Sequence, residues 1–109
     1  MTYRAPVEDI LATLRHVADL DGLVADGLVP ELEDGLAEAI LEEAAKFAQD
    51  RLAPLNRIGD QHGSTLKDGV VTTPPGWKET YNAWAEAGWN CRPTARHAGF
   101  IHFFTRLAA

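Results

Sequence analysis

The chain has 109 residues, 16 of them acidic and 10 basic, with four histidines and a formal charge of −6; 46% are hydrophobic and 24% charged. Those figures give one small globular domain with a modest core, and the acidic balance argues against nucleic acid, which needs clustered lysine and arginine. No apolar run approaches the roughly twenty residues of a membrane span, the opening MTYRAPVEDI lacks a secretory layout, and the single cysteine, Cys91, excludes an intrachain disulfide or a cysteine-based zinc site.

The expectation is therefore a protein of a reducing cytoplasm, with no membrane span and no nucleic-acid partner. Charge also divides the chain. Residues 1–90 hold all 16 acids and seven of the 10 bases, whereas 91–109 hold Arg92, Arg96 and Arg106, two histidines and no acid.

In chain order, the first predicted helix covers 6–20. Pro6 suits a first helical position, Glu8 and Asp9 favour the positive end of the helix dipole, and Val7, Ile10, Leu11, Leu14, Val17 and Ala18 form one apolar stripe. Gly22, Gly27, Pro30 and Gly35 then mark a connector holding at most a short helical turn. The second main helix is predicted over 36–53, with Leu36, Ile40, Ala44, Phe47 and Ala48 on one face, Leu41 and Leu52 at its margins, and a Glu42–Lys46 pair on the other face. Pro54 is expected to end or kink it, with Leu55 and Ile58 still packing before Gly59 releases the chain.

Residues 59–73, GDQHGSTLKDGVVTT, are turn-rich, and Lys67-Asp68-Gly69 between Leu66 and Val70-Val71 predicts a tiny hairpin. A third helix is predicted from Thr73 as N-cap and Pro74 as first helical residue, with Trp77, Tyr81, Trp84 and Ala85 on its buried face and Gly88 at its C-terminal cap. Beyond Trp89 no regular pattern emerges; GFIHFF at 99–104 suits either a strand or a short helix.

Each signal for chemistry has a plainer reading. His16 with Asp19, and His62 beside Asp60, read better as solvent-exposed histidines than as ligands or bases. Cys91, His97 and His102 lack a fourth ligand and any zinc-site spacing. The pairs Glu8-Asp9, Glu33-Asp34 and Glu42-Glu43 are adjacent residues, which on a helix point in different directions, so paired-carboxylate catalysis is not expected. Ser64 and Thr65 have no nucleophile elbow, and no phosphate-cradling glycine motif occurs. Trp77, Tyr81, Trp84 and Trp89 read better as core than as an aromatic ligand platform. The residues alone thus predict no catalytic, cofactor-binding or metal-binding residue.

Three segments nevertheless resemble a known family. YRAPVEDILATLRHV resembles the N-terminal extension of a subgroup of acyl-CoA dehydrogenases, with its Tyr-x-Ala-Pro opening. GLAEAILEEAAKFAQDRLAPLNRIGDQHG is similar to the first helix and turn of their N-terminal helical domain. LKDGVVTTPPGWKETYNAWAEAGW is similar to the next segment, where Asp-Gly-x-Val-x-Thr-Pro-Pro-Gly leads into an aromatic helix ending at Gly-Trp. The subgroup includes enzymes of the 3-methylmercaptopropionyl-CoA dehydrogenase type.

The resemblance implies an all-α partial domain: an extension helix and connector over 1–35, an incomplete helical domain over 36–90, and a divergent tail over 91–109. It implies an FAD-dependent oxidoreductase, in which flavin takes hydride from the β-carbon of an acyl-CoA thioester while a glutamate removes the α-proton. The family's flavin contacts and catalytic base lie mainly in a middle β-domain and a C-terminal bundle, so the chain alone is expected to be inactive and to hold no cofactor. The family continues after Asn90 with a Gly-Leu step and a glycine-rich loop. CRPTARHAGF stands there instead, and a frameshifted or artificially ended reading frame is expected, with a genuine divergent tail as the alternative.

Two other functions fit the residues less closely. One is a helical interaction module that self-associates or docks on the remaining domains of a dehydrogenase. The other is a small metal- or ligand-binding protein using His97 and His102.

Overall fold

A computed structural model describes residues 2–33 and 35–90. The elements are α1 (Val7–His16), α2 (Leu20–Ala25), a 3-10 turn (Pro30–Leu32), α3 (Leu36–Phe47), a π-helical turn (Ala48–Leu52), α4 (Ala53–His62), β1 (Thr65–Lys67), β2 (Val70–Thr72) and α5 (Trp77–Glu86). The described chain is helical with one two-stranded sheet, as the all-α reading expected. Its contacts divide it between Gln49 and Asp50 into two compact units.

In the first unit α1 packs against α2 and α3, and the 3-10 turn packs against α2 and α3. Leu11 of α1, 6% exposed, and Ala45 of α3 are buried. The backbone N–H of Ala5 donates to Oε1 of Gln49 at 3.1 Å, tying the segment before α1 to the π-helical turn that follows α3. The division by resemblance at 35/36 and this division by contact differ because the extension helix α1 lies on α3.

The helix expected over 6–20 stops at His16, and a separate helix, α2, starts at Leu20. Asp19 stands in the left-handed region (φ 51°), unusual for a residue other than glycine, and the chain turns there. α1 therefore stops before Val17, which is 81% exposed rather than part of an apolar stripe. The connector holds α2 and the 3-10 turn. α2 ends on Gly27 (φ 70°), whose N–H donates to the Val24 carbonyl at 3.0 Å while that of Leu28 donates to Leu23 at 3.0 Å. This pairing satisfies two carbonyls that a helix end would otherwise leave open.

Pro54 does not end the helix, and neither does Gly59. Proline has no N–H to donate and its ring crowds the carbonyl four residues back, here that of Asp50. The wider π-helical turn over Ala48–Leu52 immediately precedes it, and α4 then runs through Gly59 to His62. Release comes at Gly63, with φ 61° and ψ −179°, a conformation open essentially to glycine alone. Leu52, expected at the margin of the apolar face, is 45% exposed.

In the second unit the hairpin forms as the Asp-Gly step predicts. Asp68 (φ 52°) and Gly69 (φ 76°) both have positive φ, as the tight two-residue turn of a hairpin requires. The pairs are Thr65↔Thr72, Leu66↔Val71 and Lys67↔Val70. All six strand residues are exposed.

α5 begins three residues later than expected. Thr73 and Pro74 precede it, and Gly76 (φ 85°) is the residue at its start. Its C-terminus shows the same paired cap as α2: the N–H of Gly88 donates to Ala85 at 3.0 Å and that of Trp89 to Trp84 at 3.2 Å. The indoles of Trp84 and Trp89 stack with centroids 5.6 Å apart, so the apolar contact that accompanies such caps is here an aromatic pair. Replacing Trp89 with alanine removes this stack while leaving the cap's backbone free to form. A loss of about 1 kcal/mol is expected, read as a lower urea midpoint in tryptophan fluorescence; an unchanged midpoint would dismiss the stack as a stabilising feature.

The side of α5 turned inward is only partly the one expected, with Trp84 and Ala85 half-buried. Thr80 is buried at 9% exposure, whereas Trp77 and Tyr81 are 44% and 64% exposed.

Candidate functional site

An open cleft is found among the described residues of each unit. In the first, about 330 Å³ is bounded by α1, α2, the 3-10 turn and α3. Leu11, Leu20, Val24 and Leu32 give it apolar walls, and Arg15 and Glu38 stand at its rim. The Arg15 guanidinium lies 3.6 Å from a Glu38 carboxylate oxygen, linking α1 to α3. Both side chains are nearly half exposed, so water screens the pair and its worth is at most about 1 kcal/mol. A trough with mixed walls, Asp21 and Glu33 among them, can hold a nonpolar side chain beside the ion pair, but no serine, cysteine or histidine lines it for a carboxylate to activate.

The cleft of the second unit, about 290 Å³, lies where α4, the start of the hairpin and the start of α5 meet. Asn56, Asp60, Ser64, Pro74 and Trp77 line it. Asn56 and Asp60 are four apart on α4 and share a face. Gly59 makes the arrangement possible: a Cβ placed there would lie 2.8 Å from Cζ2 of Trp77, so only glycine lets the indole rest on the helix. Ser64 and Asp60 thus share one cleft, yet catalysis by Ser64 would need an adjacent base to take its proton, and His62 is turned elsewhere. His62 is exposed, with Nδ1 3.1 Å from the Ile58 carbonyl, where a protonated Nδ1 donates.

Gly59→Ala tests the fit of Trp77. Alanine favours a helix by about 1 kcal/mol over glycine, but here its methyl group must displace a rigid ring. The substitution is expected to shift the tryptophan emission and to gain little stability. In a Trp77→Phe background the full gain of about 1 kcal/mol should return. Equal effects in both backgrounds would show that Trp77 does not bear on Gly59.

The other sequence candidates stay apart. His16 is exposed at the end of α1. Asp19 folds its carboxylate over Gly22, where a Cβ would collide with it. Lys46 pairs with Glu43, three residues back, rather than with the expected Glu42. Both spacings lie within reach of one lysine on a helix. The hydrogen bond from Lys46 to Glu43, then the charge of Glu43, raises the Lys46 pKa above its ordinary 10.5. Such a raised pKa supports folding fully below the ordinary value and is lost as pH rises through the raised one, so the pair contributes no pH dependence near neutrality.

Among the described residues no group of three or more histidine, cysteine, aspartate or glutamate side chains could hold a metal ion. Cys91, His97 and His102 lie outside the described residues. No helix of the described residues is long and apolar enough to cross a membrane. Asn56, Gly59 and Pro74 were not among the sequence candidates; a polar pair four apart on a helix and a glycine inside it are too common to mark a site.

No family model matches the chain. Comparison with curated proteins gives a 3-methylmercaptopropionyl-CoA dehydrogenase from Ruegeria pomeroyi, 37% identical over 100 residues. The match covers 91% of this chain; 91% of 109 residues is about 99, of which residues 1–90 can supply at most 90, so it runs past Asn90. It takes in the N-terminal helices, the hairpin and α5, and it spans 17% of the length of that dehydrogenase.

Proposed function

We propose that this chain is the N-terminal helical segment of an acyl-CoA dehydrogenase-like flavoprotein, and that alone it does not oxidise a thioester. The observation that carries the reading is the 37% identity over 91% of the chain to an enzyme named for dehydrogenating 3-methylmercaptopropionyl-CoA. The order of Tyr-x-Ala-Pro, the α3–α4 segment and Asp-Gly-x-Val-x-Thr-Pro-Pro-Gly supports it. The substrate of the assembled enzyme is proposed to be an acyl-CoA thioester and its cofactor FAD.

The test is direct. The purified 109-residue polypeptide is expected to show no flavin absorbance and no acyl-CoA-dependent reduction of an artificial electron acceptor. A yellow preparation that turns over a thioester would overturn the second half of the proposal and leave the family reading standing.

A second reading, a helical module that docks on a partner, is favoured by the exposure of Leu66, Val70, Val71, Trp77 and Tyr81 in the second unit. Apolar surface gathered on one small unit is what an interaction site presents. It predicts that the chain co-purifies with a polypeptide supplying the rest of a dehydrogenase. A monodisperse monomer that ignores that polypeptide would reject it.

The stretch after Asn90 is a separate matter. A frame change at Cys91 predicts that a one-base correction of the DNA restores a glycine-rich continuation. The reach of the match past Asn90 favours the genuine tail.

A further inference from the structure

We draw no further inference here: the strongest candidate, the exposed apolar surface formed by Leu66 and Val71 of the hairpin with Trp77 and Tyr81 of α5, is an unpartnered face, and beyond the docking reading already given nothing in the structure shows what covers it.

Discussion

Gly76→Val is expected to destabilise the second unit by about 2–3 kcal/mol, among the largest effects of any single substitution in the chain. The reason is first a dihedral one. Gly76 holds φ 85° at the start of α5, and its carbonyl accepts the N–H of Thr80 at 3.1 Å, the first bond of that helix. A side chain in this left-handed region costs about 1–2 kcal/mol, and a β-branched one more. A Cβ there would also stand 2.9 Å from Cδ2 of Leu55, but that atom is the free end of a flexible side chain and can yield. Most of the loss therefore comes from the backbone. Gly69→Ala is the matched control, because Gly69 has φ 76° and nothing within 4 Å of its would-be Cβ. It should lose about 1 kcal/mol from conformation alone, and Gly76→Ala should lose only slightly more. All three tryptophans, Trp77, Trp84 and Trp89, lie in the second unit, so a urea titration followed by their fluorescence reads it. A Gly76→Val midpoint equal to that of the natural chain would mean that residue 76 does not hold this conformation.

Local rules made much of this fold legible. The 3.6-residue spacing from Leu36 onward, the Asp68-Gly69 turn and Gly88 as a helix stop each depend on residues within a few positions of one another, and each forms. What the sequence hid depends on more distant or rarer events. Asp19 in a left-handed conformation separates α1 from α2, and aspartate adopts that region too seldom for the break to be anticipated. Pro54 reads in the sequence as an end or a kink, because an interior proline causes one or the other. The π-helical turn lies just before it, and neither Ala48 nor Leu52 carries a sequence mark of such a turn. Gly59 looked like a release point, yet its lack of a side chain serves Trp77, eighteen positions away. The second cleft was illegible for the same reason: Asn56, Asp60, Ser64 and Trp77 meet only once the hairpin reverses the chain. The likeness to a dehydrogenase was legible because it rests on whole segments in order, which no single contact can disturb.

Leu11→Ala should cost the first unit about 2–3 kcal/mol, toward the lower end of what burying a leucine and then truncating it usually shows. Leu11 is the large apolar side chain most shielded from water among the described residues, at 6% exposure, and it stands where α1 meets α2 and α3. The screened Arg15–Glu38 pair between α1 and α3 offsets little of the loss. The adjoining cleft is open, so water can enter the space vacated, and this keeps the cavity cost below that of a sealed interior. Small domains of this kind have total stabilities of only about 0.05–0.15 kcal/mol per residue. For the 49 residues of the first unit that is roughly 2.5–7 kcal/mol, so a loss of this size removes a large share of its stability. Two companions separate packing from helix propensity. Ile10→Ala changes a neighbour that is 39% exposed and should cost under half as much, while Leu11→Met keeps the volume and should cost less than about 1.5 kcal/mol. Hydrogen exchange of the α1 and α3 amides is the appropriate measurement, because it reports this unit without relying on the tryptophans of the other. Faster exchange confined to Leu11→Ala is the expected pattern; equal exchange for Leu11→Ala and Ile10→Ala would mean that α1 is not anchored through Leu11.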